Sequence, residues 1–153
     1  TEVWRNPALH AAIREGAVSA GDVTEEVMRQ HPPFGSVFRF VHGTCSCLGP
    51  ELPAGTIVAI DVAAVNLAGT PAADPAAGCP VRAGAVLTFG RGGHYCLGAT
   101  SARRQVAIGL HRLVVGRPDL AINHAGVRID THNNLKEVRA LPYALAPRPG
   151  PQP

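Results

Sequence analysis

The stretch "FGRGGHYCLGATSAR", residues 89 to 103, sets one cysteine, one histidine and two arginines among four glycines, directly ahead of an apolar helical run. A thiolate is the strongest soft ligand that a protein offers a metal, and it stays deprotonated only beside a metal, positive charge or backbone N–H groups. The glycines ahead of Cys96 let backbone amides turn toward the sulfur, and Gly98 lets a large flat group approach the chain with no Cβ in the way. A helix that starts beside Cys96 adds the positive end of its dipole. Each device favours a charged, coordinated sulfur. A buried apolar cysteine at a helix start is the plainer alternative, and it leaves the accompanying Phe89, His94 and glycines without a reason.

The elements that must position this loop are readable on both sides of it. Residues 7 to 15, "PALHAAIRE", have Pro7 at a helix start and Leu9, Ala12 and Ile13 on one face, and Gly16 ends them. A second helix is expected from Asp22, with Glu25 completing a capping-box pattern, to about Gln30, where "PP" at 32 and 33 forbids continuation. "SVFRFVHG" and "TIVAIDVAAVNLAG" are rich in β-branched and aromatic residues and flank the turn-forming "GPELPAGT", so they read as paired short strands. Residues 68 to 86 have no usable periodicity and form a long irregular segment. The strongest helix follows the cysteine loop: Ala99, Ala102, Val106, Leu110, Leu113 and Val114 recur at spacings of three and four up to Gly116, with Pro118 behind. It is expected to be buried on one face. "LAINHAGVRID" and "NNLKEVRALPYALAP" read as terminal strands around an Asn-Asn turn.

The 153 residues suit one ordinary domain. The chain starts at Thr1, its one methionine is Met28, and it ends in "APRPGPQP", so we expect a truncated N-terminus and a natural C-terminus. No run of about 18 apolar residues and no signal-like N-terminus is present, which predicts a soluble chain with no membrane span. Four cysteines, Cys45, Cys47, Cys79 and Cys96, are too sparse for a disulfide scaffold, and a reducing cytoplasm is expected. Net charge is only +3, yet no acidic residue lies between Asp74 and Asp119, where Arg82, Arg91, Arg103, Arg104, Arg112 and Arg117 all fall. That basic stretch suits an anionic cofactor or an acidic protein partner. Nucleic acid is disfavoured, because Lys136 is the sole lysine, aromatic residues are few and no recognition motif is present.

Phe89, Gly90, Gly92, His94, Cys96, Leu97, Gly98, Ala102 and Arg103 resemble the haem-binding signature of the cytochrome P-450 family, F-G-x-G-x-H-x-C-x-G-x-x-x-A-R, at every anchor position. The resemblance implies that Cys96 is the axial ligand of the iron of haem b (iron protoporphyrin IX), a thiolate whose donated electron density favours O–O cleavage. It places Phe89, Gly90, Gly98 and Ala102 beside the cofactor. "EVMR" is similar to the family's E-x-x-R motif, in which Glu26 and Arg29 share a helix face as a fixed ion pair; alone, the tetrapeptide is more simply a solvated pair. In "HPPFGSVFR", similar to the proline-bearing turn and strand beside the haem, Arg39 and, further on, His94 match the residues that hold the propionates, and an arginine fork suits a carboxylate. Phe34, Val37 and Phe38 would line the substrate side, with plain apolar core as the alternative. "LPAGT" at 52 to 56 matches the turn that follows.

The implied fold class is α+β: the C-terminal portion of the mainly helical P-450 fold, with short antiparallel strands, an irregular meander, the cysteine loop and the following buried helix. It spans residues 1–146, with a proline-rich tail at 147–153. The family's long central helix, with its oxygen-side acid and alcohol, has no counterpart here, so no catalytic residue beyond the haem ligand is assigned. Where the family often reads A-N-R-D-P the chain has "VNLAG", keeping Asn66, and the arginine that usually joins Glu26 and Arg29 is replaced by Ala77, with Arg82 out of register. Ser101 and Gln105 stand where leucine and glutamate are common.

For the intact enzyme the resemblance implies a monooxygenase. One atom of O2 enters a small apolar organic substrate, and electrons come from NAD(P)H through a separate ferredoxin-type or reductase donor docking on the basic proximal face. The alternative is a non-catalytic or degenerate haem-binding fragment lacking the oxygen-activating half. A third reading, a metal site at Cys45 and Cys47 with His42, suffers from a C-x-C spacing tighter than usual zinc pairs.

Overall fold

The computed structural model describes residues 2–44, 51–68 and 86–146. The helices are α1 (Glu2–Arg5), α2 (Pro7–Arg14), α3 (Ala20–Gln30), α4 (Val62–Leu67) and α5 (Ala99–Gly116). The strands are β1 (Ser36–Phe40), β2 (Ile57–Asp61), β3 (Leu120–Ile122), β4 (Arg128–His132), β5 (Leu135–Ala140) and β6 (Tyr143–Leu145). Cys45, Cys47, the segment holding Ala77, Cys79 and Arg82, and the tail at 147–153 lie outside the described residues.

Local chemistry sets most boundaries. The Asn6 side chain accepts from Leu9 N–H at 3.0 Å to start α2, and Gly16 leaves it with φ +75°. The start of α3 corrects the sequence expectation. The cap is Ser19, whose hydroxyl accepts from Asp22 N–H at 3.0 Å, so Asp22 sits inside the first turn as a favourable charge on the helix dipole. α1 was not anticipated; the Trp4 indole N–H ties it to the carbonyl of Leu120 at 3.2 Å.

β1 and β2 pair antiparallel from Ser36↔Asp61 to Phe40↔Ile57. The second strand is shorter than its apolar run, because the Asp61 carboxylate accepts from Ala64 N–H at 2.9 Å and turns residues 62 to 67 into α4. Val62 and Asn66, one helical turn apart, are that helix's buried side chains. The core lies elsewhere, where Val3, Leu9, Ile13, Ala20, Val23 and Val114 bring α1, α2, α3 and α5 together.

α5 has the expected limits, but its apolar stripe is only partly covered. Val114 is fully buried, whereas Val106 and Leu113 are about half exposed. β4 and β5 form the expected hairpin around Asn133 and Asn134, both in the left-handed region at φ +46° and +71°. β3 pairs with β6. The hairpin tip is pinned to β1: Asn134 Oδ1 accepts from Ser36 N–H at 2.8 Å, its Nδ2 donates to the Ser36 carbonyl, and its own carbonyl accepts from Gly35 N–H at 3.0 Å. A Cβ on Gly35 would stand 2.8 Å from Asn134 Oδ1, so any larger residue would push the Asn134 side chain off its bonds to Ser36.

Candidate functional site

Two 3-10 turns, Leu87–Phe89 and Gly92–His94, shape the cysteine loop ahead of α5. Gly90 and Gly92 adopt φ +75° and +71°, and a Cβ on Gly90 would press on the His94 carbonyl at 3.3 Å. The backbone closes on itself: Gly90 N–H donates to Leu87 O at 2.8 Å, Tyr95 N–H to Gly92 O at 3.0 Å, and Cys96 N–H to Phe89 O at 2.9 Å. On the far side Ala99 N–H donates to Cys96 O at 3.2 Å, and Ala102 N–H to Gly98 O at 2.9 Å. The Cys96 thiol is free and exposed. Gly98, at φ −83°, takes a conformation open to any residue, and a Cβ there would meet only the Cys96 sulfur at 4.0 Å. Its small size leaves space beside the sulfur rather than permitting a special turn.

Behind the loop lies a buried polar network. The Arg29 guanidinium grips Glu26 with both arms, Nε to Oε2 at 2.8 Å and Nη2 to Oε1 at 2.6 Å, and Arg29 is only 3% exposed. The solvated pair that the tetrapeptide alone suggested is therefore a buried, bidentate one. Arg29 Nη1 donates to the Asn66 carbonyl at 3.1 Å, while the Asn66 amide donates to the Arg29 carbonyl at 3.2 Å and to Thr88 Oγ1 at 3.1 Å. Asn66 Oδ1 accepts from Leu87 N–H at 2.6 Å, and the Thr88 hydroxyl donates to the Met28 carbonyl at 2.7 Å. Asn66 thus joins α3, α4 and the first turn of the cysteine loop. Asn66→Ala leaves Leu87 N–H and the Arg29 carbonyl without these partners. The expected loss is about 3 kcal/mol, read as a lower urea midpoint.

A second brace stands on the other side of the loop. Arg103 of α5 pairs with Glu25 of α3 at 2.5 Å and with the Tyr95 hydroxyl at 2.7 Å, and its guanidinium carbon lies 4.4 Å from the centroid of the Phe89 ring. From the sequence, Arg103 is a signature position and Glu25 a capping-box residue, and Tyr95 has no role. With the cap of α3 at Ser19, Glu25 is free to face α5, and the available signal was this acid next to Glu26 and a phenol adjoining the cysteine.

The remaining expected site residues occupy the loop and β1. His94 is exposed at the end of its turn and makes no side-chain hydrogen bond among the described residues. Arg39 is exposed and donates to the neighbouring Phe38 carbonyl at 2.8 Å. Phe34 bridges to Leu135; Phe34 and Phe38 are largely exposed and Val37 is partly so. Ala102 is partly buried on α5. α4 packs against β1, β2 and the Leu87–Phe89 turn, so it is the common support of Arg39 and the cysteine loop. Among the described residues no cluster of His, Cys, Asp and Glu side chains could hold a metal unaided, and the C-x-C pair lies outside them.

Among the described residues one free, exposed thiol, that of Cys96, stands in a loop braced from both sides ahead of a long helix. No protein-family model matches the chain. It is 32% identical over 129 residues to the erythromycin C-12 hydroxylase of Saccharopolyspora erythraea, covering 78% of this chain and 32% of that protein. It is 31% identical over 117 residues to cytochrome P450 144 of Mycobacterium tuberculosis, covering 73% of this chain and 27% of that one. The crystal structure of CYP164A2 from Mycobacterium smegmatis with econazole bound superposes with a TM-score of 0.77 at 26% identity, covering 94% of this chain and 36% of that one. The chain belongs to the cytochrome P450 family and carries the C-terminal part of its fold. It spans about a third of the length of the relatives it matches.

Proposed function

We propose that Cys96 is the axial thiolate of a haem b, within a monooxygenase that inserts one atom of O2 into a small apolar organic substrate. The observation that carries the proposal is the free, exposed Cys96 thiol in a loop held by its own backbone bonds and by two side-chain networks. The donor set fits the group. A flat apolar macrocycle with two carboxylates needs a soft ligand, open space beside it and cations at its edge. Cys96 supplies the ligand, Gly98 the space, and Arg39 and His94 exposed donors for the propionates. When bound, a thiolate-ligated haem supplies the oxygen-insertion chemistry. The protein's own work is to hold the sulfur, neutralise the carboxylates and present Phe34, Val37 and Phe38 to an apolar substrate.

The test is haem uptake by the purified chain, followed by reduction and exposure to carbon monoxide. The long-wavelength Soret band of thiolate-ligated ferrous haem is expected. No uptake, or a band typical of histidine or thiol ligation, would sink the proposal.

Electrons from NAD(P)H arrive through a ferredoxin-type or reductase donor, in keeping with a protein of the cytoplasm. Among the described residues no helix is long and apolar enough to cross a membrane. Arg103 and Arg117 are engaged with Glu25 and Asp119, which leaves Arg91, Arg104 and Arg112 exposed for an acidic donor. Reversing Arg104 and Arg112 to glutamate is expected to slow haem reduction by an acidic ferredoxin roughly tenfold at low salt. The difference should collapse near 1 M salt, where screening shortens to about 3 Å. Stopped-flow reduction at two ionic strengths measures it.

A further inference from the structure

We infer that Arg103 is a positioning residue for Cys96, holding the cysteine loop in register with α3 through Tyr95, Phe89 and Glu25. The inference rests on the haem-thiolate reading above. Residues 91 to 98 are all exposed, so burial does not fix the place of the sulfur. A glycine-rich loop in that condition is costly to order, and the order has to come from specific bonds.

One guanidinium supplies them in three directions. Its Nε edge meets the Glu25 carboxylate at 2.5 Å, its Nη1 meets the Tyr95 hydroxyl at 2.7 Å, and its face lies on the Phe89 ring. Tyr95 immediately precedes Cys96, and the Phe89 carbonyl accepts the Cys96 N–H at 2.9 Å. Both arms of the loop are therefore gripped by one side chain, seven residues beyond Cys96 on α5. Glu25 is the anchor, next in sequence to the Glu26 that pairs with Arg29, so the polar network and the brace reach the loop from the same helix. As an isolated ion pair, with side chains 28% and 27% exposed, Arg103 and Glu25 would count for little. Their value lies in what the fixed guanidinium holds. Lysine offers a point charge without the planar fork and cannot replace it.

The experiment compares the ratio of non-thiolate to thiolate-ligated ferrous carbonyl haem in the parent chain, R103A, R103K and Y95F. Losing the charge-assisted bonds is expected to raise that ratio roughly tenfold in R103A, with little rescue in R103K. Y95F keeps the ring and removes only the hydroxyl, and about a threefold rise is expected. A merely structural Arg103 would lower melting temperature and haem loading but leave the ratio in the bound fraction unchanged. That result in both R103A and Y95F, with the thiolate band present in the parent, overturns the inference alone. A parent chain without the thiolate band overturns the haem-thiolate reading and the inference with it.

Discussion

Cys96→Ala abolishes the thiolate-ligated haem spectrum and leaves the haem-free fold unchanged. The two halves of this expectation have separate causes. The Cys96 backbone N–H and carbonyl make the loop's hydrogen bonds to Phe89 and Ala99, and alanine keeps both. The side chain itself is exposed and bonded to nothing, so its removal should move unfolding by no more than about 0.5 kcal/mol. The thiolate has no substitute within the loop, whose other ligand type is the imidazole of His94. A variant with an unchanged melting curve and no long-wavelength carbonyl band is the result that assigns the ligand. A surviving thiolate band would move it to another cysteine.

Arg39→Ala and His94→Ala make the contrast. Neither residue holds up the fold in the described structure, and each would contribute a charge-assisted or neutral bond to a carboxylate. Haem affinity is expected to fall roughly tenfold in each, with the thiolate band retained in the bound fraction. Titration with haemin separates a weakened grip from a lost ligand.

What could be read without coordinates follows from how local each signal is. The limits of α5 were legible because Gly116 and Pro118 stop any helix. The Asn133–Asn134 turn was legible because two asparagines tolerate the left-handed region. The boundary between β2 and α4 was not. "TIVAIDVAAVNLAG" is apolar and β-branched throughout, and what breaks it is the Asp61 carboxylate together with partners for Asn66 drawn from Arg29 and Leu87–Thr88. Those partners lie 37 and about 21 residues away, beyond the reach of any periodic pattern. The depth of the Glu26–Arg29 pair was hidden for the same reason, since Arg29 is tied to Asn66 of α4, 37 residues away. The Arg103 brace was half visible: its own position is in the signature, but its anchor Glu25 is 78 residues distant.

Arg29→Ala is expected to cost about 3–5 kcal/mol, the range for removing one partner of a buried pair. That is a large share of the 5–15 kcal/mol typical of a whole domain. Among the described residues, Glu26 loses a bidentate partner and the Asn66 carbonyl loses the donor that ties α3 to α4. Its pH dependence gives a sharper check than its size. The Arg29 hydrogen bonds, more than the opposing burial or the Gln30 amide, hold the Glu26 carboxyl below its ordinary value. A group with a depressed folded value stabilises the fold above its unfolded value, about pH 4.3, and that contribution is lost as pH falls through the folded value. Urea midpoints of the parent should therefore fall with acid in that window, and E26Q should lack this component. In R29A the leading depressing cause is gone, so the carboxyl value moves up toward the ordinary one. The acid-sensitive contribution of Glu26 then shrinks, and the fall of the urea midpoint with acid becomes shallower than in the parent. Parallel acid slopes in parent and R29A would show that Glu26 does not depend on Arg29 for its charge.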